Sequence, residues 1–296
     1  MLNRHGLTLA ELLVSMTVAG VVLSMIASVS AREQRVFADL ADRAALAGQL
    51  RDASSVLPID LRSVASAAGD IRDARDSSLE IRATIASAVV CDSTATSIIL
   101  APAIGGAATH ASVVTSIEAG DTLWLLSVTD TAVWKPYRVA AAGNAPAGQC
   151  APRGPQLADS ARIRPRTSVS LATTPTATIG MPARVTRPVR YSIYRASDGA
   201  WYLGEKDWSN TSAKFNTIQP VAGPFLAAAA GGVVFRYADS LGAAIASPVA
   251  DRTSIASIRV ELRGQTSAPA RAIGAAQSTG KRTDSSIVIV SLRNRR

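Results

Sequence analysis

"RHGLTLAELLVSMTVAGVVLSMIASVSAREQR" (residues 4–35) contains the reading on which the rest of the chain depends. From Leu7 to Ala31 there are 25 residues and one charge, Glu11, close to the front. A carboxylate inside a membrane helix costs about 2.5 kcal/mol or more, so such a residue normally has a task. An account of this segment therefore has to say what the acid is for.

Three readings compete for residues 1–31. A secretory signal peptide has a basic start, a short apolar stretch and a small-residue cleavage site. Arg4 supplies the charge and "SVSA", ending at Ala31, supplies the site. The apolar run is longer than that class uses, however, and carries an acid. A plain membrane anchor fits by length, because 25 helical residues span about 37 Å against a hydrocarbon core of about 30 Å. It leaves Glu11 without a purpose.

The third reading gives it one. "GLTLAE" (Gly6 to Glu11) resembles the processing motif of type IV pilins and type II secretion pseudopilins. In that family a short basic leader ends in glycine, and a membrane aspartic protease, the prepilin peptidase, cuts just after it. The new N-terminus is methylated, and a glutamate stands fifth in the mature chain. The resemblance implies a leader over residues 1–6, cleavage between Gly6 and Leu7, and N-methylation of Leu7. It makes Glu11 the helix-assembly residue. Leu7 departs from the phenylalanine more usual at this place. After cleavage the Leu7 amine of a neighbouring subunit can pair with Glu11, and in apolar surroundings the pair costs less than either charge alone. The acid then acts as a register pin.

The segment past Ala31 turns amphipathic. Val36, Leu40, Ala44, Ala47, Leu50, Ser54 and Leu57 recur at steps of three and four, with Arg32, Glu33, Arg35, Asp39, Asp42, Arg43 and Arg51 mostly off that stripe. This predicts a transmembrane and assembly helix over 7–31 continuing as a stalk helix over 32–69. Pro58 should bend or end it, since proline lacks an amide donor and clashes with the preceding turn.

From residue 78 to 296 the pattern becomes short strands broken by glycine, proline and aspartate. A first group holds Leu79–Ala86, Thr96–Ala101, Asp121–Val128 and Ala132–Val139. A second holds Val189–Ala196, Ala200–Trp208, Gly232–Asp239, Ser254–Gly264 and Ser285–Asn294. "SDG" (Ser197 to Gly199) reads as a hairpin turn, and Ala145–Gln156 and Thr173–Pro182 read as loops. Of thirteen aromatics only Phe37 precedes Trp124, which puts the packed core late in the chain. The fold class predicted is α+β: one long N-terminal helix, then a mostly antiparallel β body of two strand groups. "RYSIYRASDGAWYLGEKDW", "IQPVAGPF", "VVFRYAD" and "IASIRVELRG" resemble the larger minor pseudopilins, the PilW class of type IV pili and the J subunit of type II secretion. That resemblance implies a structural subunit which primes or caps a fibre. Its partners would be sister subunits, the prepilin peptidase and the inner membrane. The body would lie in the periplasm, and later on the fibre or cell surface, with the N-terminus inside.

The remaining chemistry is sparse. The net charge of +9 is carried by 27 arginines and 4 lysines, scattered except for the terminal "RNRR". A solvated basic surface accounts for it better than nucleic acid, although a fibre-tip module capturing DNA, a surface or a secreted substrate is the alternative in a different class. His5 and His110 are the only histidines, one in the leader and one in a loop. Neither a zinc site nor a catalytic triad can be assembled from them. "GDIRDARD" (Gly69 to Asp76) lacks EF-hand spacing and reads as a turn with local ion pairs. No cofactor, metal site or catalytic residue is predicted. Cys91 and Cys150 are the only cysteines and both flank loops. In an oxidising compartment outside the membrane they are expected to pair.

Overall fold

The computed structural model describes residues 9–102, 111–128, 132–145, 150, 166–269 and 280–292. The expected leader over residues 1–6 with its Gly6–Leu7 boundary, and His5, His110 and Arg293–Arg296, lie outside them. Two compact units divide the chain, residues 1–49 with 265–284 and residues 50–264 with 285–296.

One helix, α1, runs from Leu9 to Leu61. Pro58 lies inside it, and the helix stops within a turn, where Arg62 N–H donates to the Pro58 carbonyl at 3.1 Å. The buried stripe follows the expected one only in its second half, through Leu50 and Leu57. Leu46, Leu50, Ala53, Leu57 and Leu61 are buried, whereas Val36, Leu40, Ala44 and Ala47 are exposed. The packed side begins at Leu46, and the large apolar Val36 and Leu40 before it remain exposed together with Ala44 and Ala47. In the first unit, Asp42 accepts hydrogen bonds from the Ser267 hydroxyl (2.8 Å) and the Ala268 amide (3.3 Å).

After α1 a single 3-10 turn, Ser66–Ala68, is closed by Gly69 at φ 75°, a conformation glycine adopts without a Cβ penalty. The chain then enters β1 (Ile71–Ala74). "GDIRDARD" is therefore an edge strand rather than a turn, because Ile71 and Ala74 have a buried face to fill. The local Arg75–Asp73 pair (2.9 Å) is present.

The second unit carries most of the sheet. In chain order its strands are β2 (Ser78–Ser93), β3 (Ser97–Leu100), β4 (Ala111–Val113), β5 (Thr122–Val128), β6 (Ala132–Ala145), β7 (Arg166–Leu171), β8 (Pro182–Arg195), β9 (Trp201–Ser209), β10 (Lys214–Phe215) and β11 (Gln219–Phe225). With β1 they form one eleven-stranded sheet. Its antiparallel pairings β2–β3, β3–β7, β7–β6, β6–β5, β5–β8 and β8–β2 return to their start. Six strands thus close a barrel, and closure removes the free edges. All six contribute to one buried cluster, including Val90, Leu100, Leu125, Val139, Val169 and Val185.

β2 and β8 outlast the barrel. Beyond it they remain paired, with β1 beside β2 and β9 beside β8, and β10 and β11 then line β9. Leu79, Ile81, Tyr191 and Leu203 of this open part are fully buried, as are Leu57 and Leu61 of α1. The Tyr191 hydroxyl donates to Asp60. Asp70, just before β1, is held by Arg184 of β8 (2.7 Å) and by the Ala65 amide (2.8 Å).

A second sheet has the order β13 (Ala244–Ile245), β12 (Val233–Ala238), β14 (Ser257–Gln265), β15 (Thr283–Ser291). Phe235, Tyr237, Ile258, Val260, Leu262 and Val290 make its buried side. The fold is α+β with two sheets, as the sequence predicts. The division between them differs: β8 and β9 belong with the early strands because β8 zips along β2 and β5, and only the strands from Val233 onward form the second sheet.

Candidate functional site: an apolar helix opening on one acid

Residues 9–30 of α1 are exposed along their whole length. The helix is long and apolar enough to cross a membrane once. Four of its hydroxyls are satisfied within the helix. Ser15, Thr17, Ser24 and Ser28 donate to the carbonyls of Leu12, Val14, Val21 and Met25 at 2.8–2.9 Å. Back-bonding of this kind lets a hydroxyl sit in hydrocarbon without an unmet donor.

Glu11 stands in the first turn and is exposed. It opens a shallow strip in which Ser15 and Ala19 follow at intervals of four, flanked by Val14, Val18 and Val22. Small residues on such a strip let a second helix approach closely, bringing its polar groups within reach of the acid. Ser15 and Ala19 were not singled out from the sequence, although their four-residue spacing from Glu11 carries the signal. Gly6 and Leu7 lie outside the described residues.

The body offers polar clusters of a structural kind. Asp121, fully buried, accepts from Arg187 Nε and Nη2 (both 2.8 Å), from Asn210 Nδ2 (2.7 Å) and from the Glu118 amide (2.8 Å). Arg184 lies 5.2 Å from the Trp124 ring and 5.0 Å from that of Trp134, and Arg190 lies 4.5 Å from Phe215. Those ring faces are covered by the protein's own guanidinium groups, which argues against base stacking on them. Glu205 of β9 has a pKa pushed up to about 7, chiefly by burial and then by Asp207 and Asp60. Among the described residues no group of three His, Cys, Asp or Glu side chains is placed to hold a metal ion. Cys91, at the far end of β2, is joined to Cys150 by a disulfide with Cα atoms 5.2 Å apart, in a small buried cluster with Ile99, Ala101 and Ala145.

No curated protein and no solved structure matches this chain. Residues 1–27, which contain Gly6, Leu7 and Glu11, match the prokaryotic N-terminal methylation motif. That match supports a membrane-anchored subunit of the type IV pilin or pseudopilin kind, processed by a prepilin peptidase and assembled with other pilins.

Proposed function

We propose that the chain is a minor pilin or pseudopilin, a structural subunit that primes or caps a type IV pilus-like or type II secretion fibre. The observation that carries this is an exposed apolar helix whose strip of small residues opens on Glu11, within the segment that matches the methylation motif. The leader of residues 1–6 is removed, Leu7 becomes the methylated N-terminus, and its amine pairs with Glu11 of an adjacent subunit. The β body stands in the periplasm and is carried into the fibre by the helix. Nucleic acid is not a favoured ligand.

The test has two parts. Intact mass of the protein extracted from membranes should give a chain that begins at Leu7 and carries one methyl group. A start at Arg32 would mean ordinary signal processing and end the proposal. Glu11→Ala should be cleaved and inserted normally while crosslinking to sister subunits falls. Glu11→Lys should be worse, because it sets two positive charges together in a low-dielectric setting. Undiminished crosslinking with Glu11→Ala would remove the pairing role.

A further inference from the structure

The segment leaving α1 is tied to the barrel by a buried ion pair whose hydrogen bonds are incomplete. Asp70 Oδ2 accepts from the Ala65 amide (2.8 Å) and from Arg184 Nη1 (2.7 Å), and Arg184 Nη1 also reaches the Ser63 carbonyl at 3.4 Å. The Asp70 side chain is fully buried and that of Arg184 is 8% exposed. Four polar atoms here are shut off from solvent and have no hydrogen-bond partner in the protein: Asp70 Oδ1, Arg184 Nε, Arg184 Nη2 and Thr84 Oγ1. The zipper of β2 and β8 brings them together. Thr84 stands directly opposite Thr186, so the two share a face of the sheet. Thr186 Oγ1 accepts from Trp124 Nε1 (2.9 Å), and the Arg184 guanidinium lies over the Trp124 ring. Arg184 is opposite Ser87 on one side of β2, while the Arg82 amide on the other side donates to the Asp70 carbonyl at 2.8 Å. The arginine therefore crosses β2 to reach Asp70 and passes Thr84 on its way.

The atoms themselves specify what would meet them. Nε and Nη2 are the two donors on one edge of the guanidinium and together call for an acceptor. Asp70 Oδ1 calls for a donor. An anion would suit the arginine and be repelled by the carboxylate, and a cation would meet the reverse. A neutral group that accepts and donates at once is required, and the solvent-free position of all four atoms restricts it to the smallest such molecule. We infer that one ordered water is bound at this place, accepting from Arg184 Nε and Nη2 and donating to Asp70 Oδ1 and Thr84 Oγ1. Internal waters with two to four such partners are held as part of a fold. This one fastens the segment after α1 to both β2 and β8. It also completes the hydrogen bonds without which a buried ion pair is a poor stabiliser.

Thr84→Val tests this by its sign, because valine keeps the shape of threonine and removes only the hydroxyl. A buried hydroxyl with no partner weakens a fold, so its removal would leave the chain as stable as before or more stable. A hydroxyl bonded to the water contributes instead. Urea unfolding of the full chain in detergent micelles should then show the folded-to-unfolded ratio falling about fivefold in Thr84→Val. Stability equal to or above that of the unaltered chain would overturn the inference. A crystal structure of the full chain, at a resolution that shows ordered solvent, gives the second readout. One water peak should lie about 3 Å from Arg184 Nε and Nη2, Asp70 Oδ1 and Thr84 Oγ1. No peak there, or a peak too strong for water, would equally overturn it. Both readouts concern the body alone and do not depend on how Glu11 acts.

Discussion

The hydroxyl of Tyr191, in the middle of β8, donates a hydrogen bond to the carboxylate of Asp60, one residue before the end of α1. Burial first, and the Asp60 charge second, push the Tyr191 pKa upward, so the phenol remains a donor at every ordinary pH. The end of the helix is therefore fixed to the sheet by a bond that has charge on one side only. Tyr191→Phe should lower stability by about 1–2 kcal/mol, because a half-buried carboxylate loses a donor. Asp60→Asn, which still accepts, should cost less. Thermal unfolding of the three proteins side by side gives the order.

Asp121 and Arg187 pose a larger stake. Arg187 has its pKa raised chiefly by the hydrogen bond to Asp121, and it remains charged in a mostly buried place. Asp121→Ala should destabilise by about 3 kcal/mol, since it leaves the buried Arg187 cation only the half-exposed Glu118 carboxylate at 3.5 Å and the Ser116 carbonyl at 3.0 Å. The double change Asp121→Leu with Arg187→Met should recover much of that loss. A double variant no more stable than Asp121→Ala would show that the network matters for more than charge compensation.

Glu205 gives the body a pH dependence. Its folded pKa of about 7 lies above the ordinary 4.5, so between those values the folded chain holds more protons than the unfolded one. Stability from this group is therefore highest at the acid end of that window and falls as pH rises through 7. Glu205→Gln should add stability on the order of 1 kcal/mol at pH 8, solvent screening removing the rest, and very little at pH 5. Urea midpoints of both proteins at the two pH values test this. A gain that is larger at pH 5 would contradict it.

For Cys91 and Cys150, separated by 59 residues, alkylation under non-reducing conditions should leave both sulfurs unmodified. Reduction, or Cys91→Ala with Cys150→Ala, should cost about 4 kcal/mol on the chain-entropy model. Mass spectrometry of the alkylated protein and its thermal midpoint with and without reductant decide the matter.

Different parts of the molecule were legible in the sequence to different degrees, for physical reasons. The long helix was plain, because 25 residues with one charge leave few alternatives. Strands with two-residue alternation, such as β8 and β9, were also plain. β7 and β11 were not: "RTSVSL" is mostly polar, and "QPVAGPF" carries two prolines in a strand that tolerates them at a margin. Ring closure was invisible, because β3 pairing with β7 and β7 with β6 is a matter of which distant edges meet. The stalk stripe holds at Leu50 and Leu57 and fails at Val36 and Leu40, because periodicity shows which residues share a face and not how far along the helix that face is covered. At the candidate site, Glu11 was conspicuous as a charge in the wrong solvent, while Ser15 and Ala19 looked ordinary until the helix placed them on its strip.

The zipper between β2 and β8 also has a consequence in time. Ser78 faces Ser192, so 114 residues must be made between one side of this pairing and the other. At a synthesis rate of about 5–20 residues per second, β2 waits on the order of ten seconds for the strand that completes it. Throughout that interval "LEIRATIASAVV" (residues 79–90), apolar and rich in β-branched residues, has emerged from the ribosome with neither its barrel nor its open sheet available. An unfinished copy therefore carries β2 without its partner until β8 arrives, and mispairing between crowded unfinished copies is the hazard built into the connectivity.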